Sequence, residues 1–164
     1  MKKLWIIRHA KSSWSDYSLP DHDRPLNKRG KRDAPFMSNL INEKYPVPQR
    51  LYSSTANRAL TTCREFQKTF GYDDTQVIQI PELYHASISN CLNAIHQIDE
   101  SLEVAAIFGH NPTFTYLIEE LADEGPDNLP TCGCALITSE SDNWSNFEVE
   151  SCTLSELLYP KMFQ

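Results

Sequence analysis

Apolar positions along this chain fall into short unbroken runs, separated by longer stretches with helical spacing. Leu4-Trp5-Ile6-Ile7 is the first run, and four consecutive apolar residues predict a strand buried on both faces. Leu51–Ser53, Val77–Ile80 and Glu103–Phe108 repeat the pattern. Between the first two, Ala34, Met37, Leu40 and Ile41 share one face of a helix running to about Lys44. Asn27 is its candidate N-cap, but Pro35 inside the pattern predicts a kink or a later start. Ala56, Ala59, Leu60, Cys63, Phe66 and Phe70 predict a second helix that Gly71 closes. Ser87–Ile98 predicts a third, and Asn111-Pro112 the cap and first residue of a fourth. Two β segments follow, Gly133–Thr138 and Phe147–Thr153, joined by a polar turn around Ser141-Asp142-Asn143. Alternating strands and helices predict an α/β fold, a three-layer α/β/α sandwich. Its central sheet is mostly parallel, with helices on both faces and an antiparallel edge near the C-terminus. The 164 residues fit a single domain, and neither a repeat nor a linker interrupts them.

The polar residues with chemical potential stand where these strands stop. Ligands of α/β sheets bind outside the carboxyl ends of the strands. Arg8 and His9 directly follow the first run, Arg58 comes a few residues after the second, and Gly109-His110-Asn111 ends the fourth. Two arginines and two histidines so placed make a pocket for a phosphoryl group with a nitrogen nucleophile inside it. Residues 9–26 are polar and punctuated by Pro20 and Pro25, which predicts a functional loop at the pocket mouth.

Charge narrows the class of ligand. The formal net charge is −7, and no block of lysine or arginine offsets it. Nucleic acid and anionic membrane are therefore poor partners, and a phosphate site must rely on local arginines. Met1-Lys2-Lys3 resembles the front of a signal peptide, but only four apolar residues follow, and no run approaches a membrane span. Five cysteines without scaffold spacing predict reduced thiols and a cytoplasmic protein. Cys132 and Cys134 lack the second pair a structural zinc would need and read as small strand residues.

Five stretches, in order, carry a family likeness: Ile7-Arg8-His9-Ala10-Lys11, Asp23-Arg24-Pro25-Leu26 with Arg29-Gly30, Ser53-Ser54 to Arg58-Ala59 with Thr62, Leu83-Tyr84, and Gly109-His110-Asn111. Together they resemble the histidine phosphatase, or phosphoglycerate-mutase-like, superfamily, and within it the small SixA-type phosphohistidine phosphatases. Many relatives have glycine where Ala10 stands. The resemblance implies that His9 is a nucleophile forming a phosphohistidine intermediate, while Arg8, Arg58 and His110 donate to the phosphoryl oxygens. It implies neither metal nor cofactor.

Two positions stay open. Arg24 either adds a phosphate contact from the loop, as the resemblance implies, or is a surface arginine paired with Asp21 or Asp23. Glu82 is either the general acid that relatives acting on alcohol phosphates require, or a solvated loop carboxylate. Asn111 reads as a helix cap, Ser53 as a strand-end hydroxyl, and His22, His85 and His96 as loop or surface residues, with His85 beside Tyr84 near the rim. An uncertain acid favours cleavage of a P–N bond, because a departing imidazole, with a conjugate acid near 6.5, leaves far more readily than an alkoxide. A chain this short also leaves little for a lid, so an open site could admit a side chain of another protein. The expected substrate is therefore phosphohistidine on a partner protein. The alternatives are a small phosphomonoester or a non-catalytic phosphate-binding module. A metallohydrolase built on His9, His22, His85 and His110 lacks a carboxylate-rich or closely spaced ligand set.

Overall fold

A computed structural model describes residues 1–164, apart from the side chain of Glu150. Six strands form one sheet: β1 (Lys2–Arg8), β2 (Arg50–Ser53), β3 (Val77–Gln79), β4 (Val104–Gly109), β5 (Cys134–Ser139) and β6 (Cys152–Leu158). Their order is β3-β2-β4-β1-β5-β6. The first four in that order run parallel, and β5 pairs antiparallel with both β1 and β6. The α/β/α architecture with an antiparallel edge is thus the one the alternating pattern predicts.

The pleat of β1 divides its side chains between two cores. Leu4 and Ile6 face one side, packed with Ile107, Ile137 and helices α3 (Ile88–His96) and α4 (Thr113–Ala122). Trp5 and Ile7 face the other, packed with Phe108, Leu136 and helices α1 (Lys28–Lys44) and α2 (Asn57–Phe70). Both faces of the sheet are covered, which explains why its central strands read as continuous apolar runs.

Several boundaries differ from the sequence reading, each for a local reason. Helix α1 starts directly after Asn27, whose side chain accepts from the Gly30 amide, and it runs on through Pro35. Proline there leaves the Lys31 carbonyl without its donor, but Lys31 is exposed and water can take the bond. Pro112 stands at the N-cap of α4 rather than inside it, and Asn111 Oδ1 still accepts from the Thr115 amide at 3.2 Å. The last strand begins at Cys152, five residues beyond the expected Phe147. Trp144 and Phe147 instead stack at 5.3 Å and plug the α3 face of the sheet from a 3₁₀ turn. Gly71 closes α2 in the left-handed region with φ 71°, as expected.

The loop after β1 is clamped at its base. Ser12 and Leu26 form an isolated antiparallel bridge, and the Asn27 amide donates to the Lys11 carbonyl at 2.9 Å. Gly30 lies against that same carbonyl so closely that any Cβ would collide with backbone. Gly30→Ala should therefore lower the unfolding free energy by about 1–3 kcal/mol in urea titration, the usual cost of overpacking. A loss below about 0.5 kcal/mol, typical of an exposed helix position, would contradict that packing.

Candidate active site

Strands β2, β4 and β1 are neighbours and parallel, so their carboxyl ends open at one edge of the sheet. The chain places Arg8 and His9 at the end of β1, Ser54 after β2, and Gly109 and His110 at the end of β4. Backbone bonds continue the ladder past the strands: the His9 amide donates to the Gly109 carbonyl at 3.0 Å, and the Ser54 amide to Phe108 at 2.9 Å. The site residues thus inherit the rigidity of the sheet. A cavity of about 550 Å³ opens over them, walled by Trp14 and Asp21 of the loop and by Tyr84 and His85.

His9 is buried, and its Nδ1 lies 2.7 Å from the Ala10 carbonyl oxygen. A carbonyl can only accept, so Nδ1 carries the proton and Nε2 keeps the lone pair. Burial pushes the imidazole down to about 4; the bond to Ala10 opposes this, while the charges of Arg58, Arg8 and Arg24 add to the fall. The Ala10 amide in turn donates to Thr62 Oγ1, which donates to the Arg58 carbonyl, so the His9-Ala10 turn is tied to α2. The His110 ring centre lies 5.3 Å from that of His9, and its Nε2 is 2.8 Å from Ser54 Oγ. Burial, then the neighbouring His9 and Arg58, hold His110 at about 3. His110 is therefore neutral in the ligand-free protein, and an incoming phosphoryl charge would pull its pKa upward.

The arginines converge on an internal anion. Arg58 Nη2 reaches Asp21 Oδ2 at 3.0 Å, and Arg24 Nη1 reaches Asp21 Oδ1 at 3.0 Å. Tyr84 donates its hydroxyl to Asp21 Oδ2 at 2.6 Å. The Tyr84 hydroxyl, followed by Arg24 and Arg58, holds the Asp21 carboxyl far below the usual range. Arg24 is buried rather than a surface residue, and its guanidinium lies 3.2 Å from the Trp14 ring centre. It lines the cavity and pairs with Asp21, so the expected ion pair is present without the expected surface position. Arg8 donates through Nη1 to the Leu129 carbonyl, while its buried Nε has no partner.

Glu82 does not join this group. It is exposed on a 3₁₀ turn and lines a different cavity with Gln79 and Asn93, because the turn commits Leu83 to the core and Tyr84 to the site. Ser53 bonds its own neighbour's carbonyl, and Ser54 carries the hydroxyl that meets His110. Asp21, Tyr84 and Ser54 escaped the sequence reading as site residues. The nearest signal was the three-residue spacing of Asp21 and Arg24, noted only as a pairing. His22 and His96 lie elsewhere, bonded to Thr55 and Phe147. Among the described residues no cluster of His, Cys, Asp and Glu is arranged to hold a metal ion. No helix there is long and apolar enough to cross a membrane.

A three-layer α/β sheet that closes arginines around a neutral, tautomer-fixed histidine defines a class of phosphoryl-handling proteins. The chain belongs to the histidine phosphatase superfamily (branch 1), whose family model matches residues 4–114, and its activity class is that of a phosphatase. An uncharacterized chloroplastic protein of Arabidopsis thaliana is 30% identical over 151 residues, 87% of this chain and 69% of the relative. A SixA protein of Agrobacterium tumefaciens, assigned as a phosphohistidine phosphatase, superposes with a TM-score of 0.80 at 28% identity, over 97% of this chain and 98% of its own. The protein histidine phosphatase SixA complexed with tungstate superposes at 0.83 over 99% of both chains, and at 22% identity shares the fold.

The two buried imidazoles set a pH signature. Both folded values lie below the unfolded value near 6.5, so the unfolded chain binds protons that the folded chain refuses. Stability is unaffected by these groups above about pH 6.5 and falls as pH drops from there toward 4. In an NMR titration of the five histidines from pH 8 to 5, His9 and His110 should stay neutral. An inflection near 6.5 for either ring would contradict the burial argument.

Proposed function

We propose that this protein removes the phosphoryl group from phosphohistidine on a partner protein, through a phosphohistidine of its own at His9. The observation that carries the reading is the absence of a carboxylic acid able to give up a proton. Asp21 is the one carboxylate lining the cavity among the described residues, and three donors hold it ionised. Glu82 faces another cavity. An alkoxide leaving group needs a proton donor worth about 10²–10⁴-fold in rate, whereas an imidazole departs with little help.

The steps follow from the geometry. The phosphoryl oxygens enter beside Asp21 and draw the donors of Arg58 and Arg24 toward themselves, joined by Arg8 and by His110 as it gains a proton. The lone pair of His9 Nε2 forms a bond to phosphorus as the P–N bond to the substrate imidazole breaks. That imidazole takes its proton from solvent. Water then attacks the phosphoryl on His9, the electron pair returns to Nε2, and inorganic phosphate leaves. The Ala10 carbonyl holds the Nδ1 proton throughout, steadying the positive charge on the ring in each transition state. Arg58 also stands in the first turn of α2, where free backbone amides favour an anion.

The test is kcat/KM for a phosphohistidine peptide beside phosphoserine and sugar phosphates. A preference of about a hundredfold or more for phosphohistidine is expected, given the missing acid. A comparable preference for an ester would replace this reading with a small-molecule phosphomonoesterase, and binding without turnover of any substrate would leave a phosphate-binding module.

Glu82 supplies a separate check. Glu82→Gln should change kcat/KM for phosphohistidine by less than about threefold between pH 5 and 8. A loss above about a hundredfold would make Glu82 an essential acid and contradict its placement outside the cavity.

A further inference from the structure

Beside the phosphoryl cavity lies a second one of about 480 Å³, and the two share Arg8, Lys11 and Thr131. Helix α1 contributes Arg29 and Arg32 to its wall, and the turn after β6 contributes Lys161. Five cationic side chains thus line it, against one acidic side chain, Asp33. Asp33 is buried and already engaged, 3.1 Å from Arg32 and 3.9 Å from Arg29. Arg29 also donates at 3.1 Å to Oγ1 of Thr131, a residue that both cavities share. Neither Lys11 nor Lys161 has an ion pair among the described residues.

This concentration of positive charge runs against the whole chain, which carries a net −7. A like-signed cluster costs stability through self-repulsion and persists where an anionic partner returns the cost. Because Arg8, Lys11 and Thr131 line both cavities, the groove opens directly beside the phosphoryl cavity.

We infer that this groove is the docking subsite for the substrate protein, and that it binds an acidic segment, with aspartate or glutamate side chains, next to the phosphorylated histidine. This rests on the phosphohistidine reading and adds to it the chemistry of the flanking sequence. The phosphoryl pocket reads the reacting group, and the groove reads its neighbours. Discrimination between partners then comes mainly from KM and falls with salt, as for other exposed charge pairs.

The test separates binding from turnover. Two labelled unphosphorylated peptides, one with glutamates around a central histidine and one with glutamines, are titrated by fluorescence anisotropy with tungstate occupying the phosphoryl pocket. The acidic peptide should bind on the order of tenfold tighter, and the advantage should shrink from 0.05 to 0.5 M salt. Lys161→Glu, with folding checked by its unfaltered melting temperature, should abolish most of that advantage, and a lysine-flanked peptide should gain. Equal binding of both peptides, or no effect of Lys161→Glu, overturns the proposal. Binding of tripolyphosphate but not of the acidic peptide also overturns it and assigns the groove to a small ligand.

The phosphorylated peptides then distinguish the two levels of inference. Hydrolysis without preference for acidic flanks keeps the phosphohistidine reading and removes the groove. Tight binding of the acidic peptide without hydrolysis of its phosphorylated form keeps the groove and removes that reading.

Discussion

Three guanidinium groups crowded at one sheet edge demand an anion, and that demand organises the site. Arg24 and Arg58 are buried, and cations out of water are costly unless paired. In the ligand-free protein Asp21 answers them, with Tyr84 completing its shell. The loop that carries Asp21 is thereby drawn over the cavity, and Arg24 is pinned between Trp14 and the Ser12 hydroxyl. A carboxylate is a smaller and less charged ligand than a phosphoryl group, so the same donors are set for a better occupant. Pocket shape, loop position and charge state all follow from this one arrangement.

The cations act on the histidines as well. Burial, with the positive neighbours adding to it, keeps His9 neutral, and neutrality is what the proposed role as a nitrogen nucleophile needs. The Ala10 carbonyl fixes which nitrogen is free. A carboxylate at Nδ1, in place of the carbonyl, would favour a charged ring and work against attack. The backbone carbonyl settles the tautomer without adding charge, and Thr62 holds the same turn through the next amide.

Much of this was legible in the sequence wherever the signal was local. Arg8-His9 after a four-residue apolar run, and Gly109-His110 after another, located the sheet edge because a strand and its end are written in adjacent residues. Gly71 declared the end of α2 for the same reason. What escaped was made by distance along the chain. Asp21 meets Arg58 and Tyr84 across 37 and 63 residues, and no spacing rule links them. Glu82 looked like a candidate because it adjoins Leu83-Tyr84, but one 3₁₀ turn separates their directions. Phe147 mimicked the start of a strand because apolar residues that plug a core and those that pair in a sheet have the same composition.

The central claim is that His9 attacks through Nε2 because Ala10 occupies Nδ1. Rapid quenching during turnover in alkali, followed by ³¹P and ¹⁵N correlation on the isolated phosphoenzyme, identifies the phosphorylated atom directly. The account predicts a single acid-labile phosphoryl group on Nε2 of His9. A phosphoryl on Nδ1 of His9, on His110 or on an acid-stable oxygen would contradict it.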